Sequence, residues 1–416
     1  MGQWIDFKQT INQRLLREDL DKEQTKVRNM NTKGHALVRG IAGSGKSLIL
    51  RNRVEKIIDE YDDILILSYN RFMSGWLKSK LREKGISKKV NCNTFHSWAF
   101  RNLKYDYKFD NNDELRVQII DLAKNSRLKY QAILIDEAQD FYDEWFKAVL
   151  EVLDTDTNSL FFVYDNTQSV YGQSHRRKAD WSWLKLGIDI RGRAQIFDVN
   201  YRNSPEILES AWHFIVEPLS KAKMKVEKRE RNPDGTIKDT PGIGSIIEPR
   251  TQKSRSSNVQ PLLLQISNYE MPSVVAQQVK IALSSYKESS IGVLVHPQNW
   301  KLKSVISTEL SKLNIEHHAP KGSTDRDMNV VDRPFVIVDS WNALKGVEFD
   351  AVIIAGLDQT DEYPDNPDKN FQEKAGIYTA MTRARDHLVM LYDTKTSIVD
   401  MMENALNSPA KLESED

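Results

Sequence analysis

The octapeptide Gly40–Ser47 constrains this chain more than any other segment. Its sequence, Gly-Ile-Ala-Gly-Ser-Gly-Lys-Ser, fits the pattern G-x-x-x-x-G-K-[ST]. An apolar run at 35–40 precedes it and a stretch of helical character, 47–60, follows it, which is the strand–loop–helix context that the pattern requires. A glycine-rich turn without function rarely combines these features, so we expect a phosphate-binding loop.

The residue types in this loop suit a nucleoside triphosphate. Glycines let backbone N–H groups converge on phosphate oxygens without Cβ clashes, and the N-terminus of the following helix adds positive potential. Lys46 can reach the β- and γ-phosphates, and the Ser47 hydroxyl can ligate Mg²⁺. We therefore expect ATP and Mg²⁺ as cofactors, with the loop contacts made by Gly40, Ala42, Gly43, Ser44, Gly45, Lys46 and Ser47.

An acidic pair, Asp136 and Glu137, follows the apolar run 132–135. Asp136 is placed to hold Mg²⁺ through water, and Glu137 to orient and deprotonate the attacking water. An acidic pair by itself is more often a helix cap. The phosphate-binding loop upstream favours the catalytic interpretation, with Asp136 and Ser47 as the metal site.

Short apolar runs rich in β-branched residues occur in two clusters. Such runs are typical of strands in parallel sheets that helices cover on both faces. Two clusters predict an α/β fold with two parallel-sheet domains. We expect an N-terminal domain over 1–200 with a short insertion near 99–130, a C-terminal domain over 201–400 with a basic excursion near 220–257, and a tail at 401–416. The runs are 35–40, 64–68, 132–136, 160–165 and 195–199, then 291–295, 334–339, 351–356 and 387–392.

An ordered set of further motifs carries a family resemblance. The segments DEAQD (136–140), NYR (200–202), KGVEFD (345–350) and TAMTRAR (379–385) resemble the UvrD/Rep group of superfamily 1 helicases. The style is similar to the short helicase-like ATPases that accompany NERD-type nucleases, and the resemblance runs from about Leu20 to Leu391. It implies two tandem RecA-like domains with ATP in the cleft between them and with the accessory subdomains largely missing.

The resemblance also implies roles for single residues around ATP. Gln24 matches an adenine-reading glutamine, although a surface glutamine on a helix is the alternative. Asp165 and Gln168 match a motif that senses the γ-phosphate; relatives more often have Gly-Asp where this chain has Tyr164-Asp165, so only Gln168 is assigned to the site. The remaining matches are Tyr201 stacking on adenine, Arg202 at the γ-phosphate, Gly346 near the phosphates, Glu348 on the ribose and Arg383 as an arginine finger.

Two of these matches have plain structural alternatives. Tyr201 and Arg202 stand just before Asn203-Ser204-Pro205 and could simply cap a helix. Arg385, in the same motif as Arg383, is better explained as an ion-pair partner. The implied catalytic set is therefore Lys46, Asp136, Glu137, Gln168, Arg202 and Arg383.

Single-stranded nucleic acid is the partner that the resemblance implies. Tyr69, Asn70, Thr94, Phe95 and His96 match segments that touch the strand in relatives. The aromatic residues Tyr171 and Trp341 are candidates for stacking on bases. Burial in the core is the alternative for Trp341 and for the pair Trp181 and Trp183. Asn342 stands where the family usually has histidine, and Cys92 is most simply a small strand residue.

Charge and composition limit the other function classes. Lys and Arg number 59 and Asp and Glu number 59, so any contact with nucleic acid must use a local patch. The basic run 221–231 either meets backbone phosphates or is a solvated face. A single cysteine excludes an intrachain disulfide and a cysteine-based zinc cluster. The charged start and the lack of an apolar run near ~18 residues indicate a cytoplasmic protein without membrane contact.

These features predict an ATP-dependent translocase or helicase that moves 3′→5′ on single-stranded DNA, with RNA not excluded. The alternative is a nucleic-acid-sensing ATPase subunit that regulates a partner nuclease, by analogy in antiviral defence, with little unwinding of its own. The near-minimal size favours the alternative, because only 35 residues separate His96 from Ala132, where a full accessory subdomain would lie. A small-molecule kinase would leave Arg202, Lys345 and Arg383 unexplained.

Overall fold

The computed structural model divides the chain into two compact units. The N-terminal unit consists of Arg17–Asp198 and Arg229–Ile247, and the C-terminal unit consists of Met1–Leu16, Val199–Lys228 and Glu248–Asp416. The structure describes residues 4–5, 20–68, 78, 82, 85, 88–168, 176, 181–233, 237–238, 241–242, 244–286, 288–322, 324–326, 335–360 and 362–415.

A six-stranded parallel sheet forms the centre of the N-terminal unit. Its strands pair in the order β3-β2-β4-β5-β1-β6, so β5 lies between β4 and β1. Every residue of β1, β2, β4 and β5 is buried, as expected for strands covered on both faces. The strands are β1 Ala36–Gly40, β2 Ile64–Ser68, β3 Val90–Thr94, β4 Ala132–Ile135, β5 Ser159–Tyr164 and β6 Ala194–Phe197.

Helices cover both faces of this sheet. Alternate strand residues enter different cores: Leu65 and Leu67 belong to one apolar cluster, and Ile64 and Ile66 to the other. The first helix has a capping box in which Asp21 accepts from the Gln24 backbone N–H and the Gln24 side chain returns the bond. The helices are α1 Lys22–Arg28, α2 Lys46–Ile57, α3 Phe95–Leu103, α4 Asp113–Arg116, α5 Gln118–Lys124 and α6 Asp143–Glu151.

A five-stranded parallel sheet forms the centre of the C-terminal unit, in the order β11-β10-β12-β13-β9. Ile5, from the start of the chain, is buried in its core beside Val275 and Val279. The strands are β9 Leu262–Gln265, β10 Ser290–Val295, β11 Phe335–Ser340, β12 Phe349–Ala355 and β13 Ala384–Tyr392. The helices are α7 Pro205–Lys221, α8 Met271–Ser285, α9 Trp300–Lys312, α10 Pro367–Met381 and α11 Ser397–Asn407.

Short elements complete the described part of the chain. Two strands of two residues each are β7 Val226–Glu227 and β8 Ile246–Ile247. Single 3₁₀ turns lie at Tyr107–Asn111, Ala138–Asp140, Asn166–Gln168, Trp183–Leu186, Lys253–Arg255, Thr324–Arg326 and Leu357–Gln359. None of the helices in the described ranges has the length and apolar character needed to cross a membrane.

The expected α/β class with two parallel sheets is confirmed. All nine apolar runs form strands within about three residues of their expected ends. The strands without a run of their own are at sheet edges, apart from the two-residue β7 and β8. In β3, the polar residues Asn91 and Asn93 alternate with buried ones, and β9 has only four residues. The alternation in β3, and the shortness of β9, whose apolar run is only three leucines, explain why neither was predicted as a strand.

The basic excursion differs from the expectation in one respect. The sequence pattern grouped 220–257 with the C-terminal domain, whereas residues 229–247 cluster with the N-terminal unit. We call these residues the insert. Within it, Arg231 pairs with Ile237 in an antiparallel bridge. Buried ion pairs, described below, explain why the insert belongs to the N-terminal unit.

Packing of the C-terminal sheet gives a test of the fold. An added Cβ on Gly292 in β10 would lie 2.8 Å from the ring of Phe349. Since a buried ring and a central strand cannot both yield, Gly292→Ala should lower the free energy of unfolding by about 1–3 kcal/mol. Denaturant unfolding followed by tryptophan fluorescence measures the change. Gly322→Ala is the control, because its Cβ would meet nothing within 4 Å. Equal midpoints for the two variants would contradict this packing.

Candidate nucleotide site

The loop Gly40–Ser47 connects the end of β1 to the start of α2. Gly43 and Gly45 have φ angles of 68° and 85°, a region that residues with a Cβ rarely adopt. A Cβ on Gly40 would lie only 2.5 Å from the Ser44 hydroxyl. The loop is therefore as tight as the sequence pattern predicts, and glycine is required at these positions.

Lys46 is buried and turned back onto the loop. Its ammonium group donates to the carbonyls of Gly40 at 2.9 Å and Ile41 at 2.7 Å. The Asp165 carboxylate lies 3.8 Å from the same nitrogen. The loop thus holds one positive charge at its centre, balanced by a carboxylate from the end of β5.

Ser47 and Asp136 face each other across the start of α2 and the end of β4. The Ser47 hydroxyl donates to Asp136 Oδ2 at 3.3 Å, and the Glu137 backbone N–H donates to Oδ1 at 3.0 Å. Burial, and then the charge of Glu137, raise the pKa of Asp136 to about 7, while Lys46 acts in the opposite direction. A hydroxyl and a carboxylate are hard oxygen ligands of the kind that Mg²⁺ takes beside substrate phosphates.

This oxygen pair is a candidate site for a metal ion. Among the described residues, no group of three or more His, Cys, Asp or Glu side chains is arranged to hold a metal ion. Mg²⁺ commonly keeps several waters and needs only one or two protein ligands together with phosphate oxygens. Ser47 and Asp136 therefore fit this cation.

Glu137 is buried and has a φ angle of 53°, which costs a residue with a side chain on the order of 1–3 kcal/mol. The side chain of Gln139 holds its carboxylate: Gln139 Nε2 donates to Glu137 Oε2 at 2.5 Å. The carbonyl oxygen of the same amide accepts from the Asp165 backbone N–H at 3.1 Å. One glutamine therefore links the turn after β4 to the turn after β5.

Asp165 orders the turn that carries Gln168. Gln168 Nε2 donates to Asp165 Oδ2 at 3.0 Å, and the Thr167 backbone N–H donates to Oδ1 at 2.9 Å. Together with Lys46, these groups make Asp165 the shared partner of loop and turn. The sequence analysis did not assign Gln139 or Asp165 to the site. The signal for Gln139 was its place two residues after Glu137, because an amide at that distance can reach back to the carboxylate.

Arg176 holds the turn after β4 in place. This role was not predicted from the sequence. Its guanidinium donates to Asp143 Oδ1 at 2.8 Å and to the Ala138 carbonyl at 3.2 Å. Burial lowers the pKa of Arg176, and the Asp143 carboxylate opposes that shift. The guanidinium also lies 5.5 Å from the ring of Trp183, which is in the core. The core interpretation therefore holds for Trp183 and for Trp181, which packs against it with ring centroids 4.7 Å apart.

Gln24 lies beside the loop, as expected for a residue of the nucleotide site. It is buried in α1, and its Nε2 donates to the Ser44 carbonyl at 3.1 Å. A Cβ on Gly45 would lie 2.6 Å from this nitrogen. Gln24 is thus in close contact with the loop, and the alternative of an exposed surface glutamine is wrong.

In the C-terminal unit, several of the residues predicted to contact ATP lie close together. Arg202 forms an ion pair with Glu348. Burial raises the pKa of Glu348, but the charges of Arg202, Arg385 and Arg383 outweigh this effect and hold it below the usual value. Arg383 is buried, with its Nε donating to the Thr379 carbonyl at 3.1 Å. Gly346, just before Glu348, has a φ angle of 87°.

Two asparagines that the sequence analysis missed hold this group together. Asn203 Nδ2 donates to the Thr382 carbonyl at 3.0 Å and to the Ala384 carbonyl, on either side of Arg383. Asn200 Nδ2 donates to Asn203 Oδ1 at 2.7 Å. The half-buried Tyr201 lies between them in the chain. The asparagines therefore tie the segment that carries Arg202 to the segment that carries Arg383.

Two aromatic residues expected to contact nucleic acid are in the core instead. Phe95 is fully buried and stacks on Trp145, with ring centroids 4.1 Å apart. Trp341 is 1% exposed and packs edge-on against His296 at 5.1 Å. Neither ring presents a face to a base, so two expectations are corrected to a packing role: that Phe95 touches the nucleic-acid strand and that Trp341 stacks on a base.

The other expected contacts have mixed outcomes. Thr94 is the N-cap of α3, and its hydroxyl accepts from the Ser97 backbone N–H at 3.3 Å. His96 is partly exposed and its Nε2 lies 2.8 Å from the buried Asp110 carboxylate. Tyr69, Asn70 and Tyr171 lie outside the described residues, so their roles stay predictions.

The basic run 221–231 is matched by carboxylates. Its described basic side chains with ion pairs use six carboxylates as partners: Glu23, Asp198, Glu217, Glu227, Glu248 and Glu413. Lys221 and Lys225 are largely exposed, whereas Arg229 is buried. The run is therefore partly a solvated face and partly a buried ionic contact.

One family model matches the part of the chain that contains the loop and the acidic pair. Residues 23–174 match the family model of the AAA domain, a range that includes Gln24, the phosphate-binding loop, Asp136, Glu137 and Gln168. A search of the curated proteins gives no match.

Solved structures with helicase titles are among the similar ones. The C-terminal domain of a possible DNA helicase from Lactobacillus plantarum WCFS1 is 15% identical, with a TM-score of 0.31, over 50% of this chain and 96% of that chain. The arterivirus nonstructural protein 10 helicase, in complex with DNA, is 10% identical, with a TM-score of 0.38, over 92% of this chain and 65% of that chain.

The raised pKa of Asp136 gives a pH-dependent test of this site. The pKa is about 7 in the folded chain against an ordinary 3.8, so ionised Asp136 destabilises the fold increasingly as pH rises from about 4 to about 7. Asp136→Asn should therefore raise the melting temperature of the nucleotide-free protein at pH 8 and have much less effect at pH 5. The exposed Asp62→Asn is the control. A difference that does not grow with pH would show that Asp136 is not a buried, costly charge.

Proposed function

We propose that this chain is a Mg²⁺-dependent ATP hydrolase whose activity is coupled to single-stranded nucleic acid. The observation that carries the hydrolase proposal is one buried polar network. It runs from Lys46 through Asp165 and Gln139 to Glu137, with Ser47 and Asp136 beside it. It joins a phosphate-binding group, a metal-binding pair and a candidate base at the carboxyl ends of adjacent parallel strands.

The loop residues bind and orient the triphosphate. Lys46 exchanges its two carbonyl partners for phosphate oxygens, which is favourable because a charged acceptor binds an ammonium more strongly than a neutral one. Ser47 and Asp136 are the residues that would hold Mg²⁺, whose bound charge neutralises the phosphate oxygens. Gln24, buried against the loop, is the residue that would read the adenine edge.

Glu137 is the proposed general base. Its carboxylate accepts a proton from the attacking water, a contribution of roughly 10²–10⁴ in rate for a positioned base. Gln139 fixes one carboxylate oxygen, so the other is presented in one orientation. Gln139 also binds the Asp165 backbone, and the Asp165 carboxylate binds Gln168. A movement of Gln168 at the γ-phosphate would therefore change the position of the Glu137 carboxylate.

The C-terminal unit supplies further proposed roles. We assign Arg202 to the γ-phosphate and Arg383 to the charge that develops during transfer, worth roughly 10³–10⁵ in rate. Tyr201 would stack on adenine, Gly346 would lie near the phosphates, and Glu348 would bind the ribose. The support is the resemblance together with the clustering of Arg202, Glu348 and Arg383 in one group.

The finer proposal is a translocase or helicase of the UvrD/Rep type in superfamily 1, moving 3′→5′ on single-stranded DNA. It rests on the ordered motifs from Leu20 to Leu391. The proposed location is the cytoplasm.

A second candidate is an ATPase subunit that senses nucleic acid and regulates a partner nuclease, as in antiviral systems that pair such chains. One observation favours it: Trp341, the proposed stacking residue that the structure describes, and Phe95, a proposed strand contact, are both buried. Unwinding must overcome duplex stacking of about 1.4 kcal/mol per base-pair step. A motor with fewer stacking contacts binds the separated strand less strongly.

Hydrolysis is tested by separating binding from chemistry. Glu137→Gln should retain ATP binding and lose about 10²-fold or more in kcat, because only the proton acceptor is removed. Lys46→Ala should lose ATP binding as well. Steady-state phosphate release and equilibrium binding of a fluorescent ATP analogue measure the two effects. Hydrolysis by Glu137→Gln at the rate of the unsubstituted chain would refute its role as base.

Nucleic-acid coupling is tested by stimulation. Single-stranded DNA should raise kcat, and the absence of stimulation by any DNA or RNA oligonucleotide would refute both candidates. Strand displacement on duplexes with 3′ or 5′ tails then separates them. Displacement from the 3′ tail supports the helicase, whereas stimulation without displacement, combined with cleavage by a co-purified partner, supports the regulatory subunit.

A further inference from the structure

The insert has an unusual path along the chain. Its neighbours Lys228 and Glu248 belong to the C-terminal unit, but residues 229–247 belong to the N-terminal unit. A segment that leaves one unit to pack in another loses conformational entropy, and its contacts must offset that loss. The described residues of the insert make such contacts with the N-terminal unit.

Arg229 is buried and contacts three groups of the N-terminal unit. Its Nη1 donates to Glu23 Oε2 at 2.7 Å, to the Ile196 carbonyl at 2.6 Å and to Asp198 Oδ1 at 3.3 Å. Arg231 forms a two-pronged ion pair with the same Asp198, both bonds at 3.0 Å. Arg229 therefore bridges helix α1 to the end of β6.

Glu23 is the residue next to Gln24, the proposed adenine reader. Helix α1 has only seven residues, so its own hydrogen bonds hold it weakly. Its described ties to the rest of the unit include the buried Val27, the bond from Gln24 to Ser44, the bond from Arg53 of α2 to the Arg28 carbonyl, and the ion pair from Glu23 to Arg229. The last of these comes from the insert.

Other described residues of the insert also meet parts of the nucleotide site. Ile247 packs with Ile41 of the phosphate-binding loop. The Ser245 carbonyl accepts from Asn166 Nδ2 at 3.3 Å, next to the turn that carries Gln168. The Pro241 carbonyl accepts from Arg39 of β1 at 2.9 Å. The insert thus contacts the base-reading helix, the loop and the sensing turn.

We propose that the insert is a structural part of the nucleotide site and that Arg229 is a positioning residue for adenine recognition, acting through Glu23 on Gln24. The inference rests on the proposed function, since it assumes that ATP binds at this loop. Arg229 touches no nucleotide itself. It fixes the position of α1, and this keeps the Gln24 amide beside the phosphate-binding loop, where it can contact the adenine.

The tests use two substitutions with different structural cost. Arg229→Gln removes the whole bridge and leaves Asp198 paired with Arg231. Glu23→Gln removes only the charge at the α1 end and leaves Arg229 paired with Asp198. Lys238→Ala is the matched control, because Lys238 lies in the same insert and pairs with the exposed Glu230. All are made in the full chain.

Equilibrium binding is measured for MgATP, MgGTP and inorganic tripolyphosphate, which lacks a base. In both test variants the Kd for MgATP should rise about five- to tenfold, while the Kd for tripolyphosphate stays unchanged and the preference for ATP over GTP falls. The kcat at saturating ATP should change less than about twofold, because the hydrolytic groups are not moved. Lys238→Ala should bind all three ligands as the unsubstituted chain does.

A double-mutant cycle tests whether Glu23 acts through Gln24. Gln24→Ala should lower ATP affinity, and adding Glu23→Gln should cost nothing further. Equal loss of affinity for all three ligands, or additive losses in the cycle, would overturn the inference as a general structural effect. ATP affinity and preference equal to the unsubstituted chain in Glu23→Gln would also overturn it while leaving the proposed function intact. Absence of ATP binding by the unsubstituted chain would instead refute the proposed function.

Discussion

The contact between Lys46 and Asp165 is the interaction on which the rest of the nucleotide site depends. Their charges lie 3.8 Å apart in a buried place, so neither would be tolerated there without the other. Asp165 also orders Gln168, and its backbone N–H binds Gln139, which holds Glu137. In a low-dielectric interior such a network is rigid when every member is satisfied. A site built this way holds its base before any ligand arrives.

In the C-terminal unit, a group of arginines outnumbers its carboxylate partner. Arg202, Arg383 and Arg385 gather near one carboxylate, Glu348, and the carbonyls of Thr382 and Thr379, at the end of α10, accept from Arg202 and Arg383. Positive charges that exceed their carboxylate partners are what an anionic ligand requires. The asparagines Asn200 and Asn203 keep the two arginine-bearing segments together. Their buried amides are hydrogen-bonded, that of Asn200 to Asn203 and that of Asn203 to the carbonyls of Thr382 and Ala384.

The sequence was most informative where one local pattern dictates local structure. The phosphate-binding loop, the central strands and the acidic pair after β4 each follow from a few adjacent residues, and the α/β class followed from strand spacing. The edge strands β3 and β9 were harder, because β3 alternates polar and apolar residues and the apolar run of β9 is only three leucines long. Phe95 and Trp341 illustrate the opposite difficulty: motif position suggested a surface role, but an aromatic ring is buried or exposed according to what packs around it.

By itself, the sequence determined the phosphate-binding loop, the parallel sheets and the residue types of the site. Only the tertiary structure decided which of those residues meet. Strand order is not written in any one segment: β5 inserts between β4 and β1, and that alone places Asp165 between Lys46 and the turn of Glu137. Likewise, Arg229 meets Glu23 across 206 positions of sequence. Such contacts depend on the sum of long-range packing, whereas a glycine turn or a buried strand depends on its own few residues.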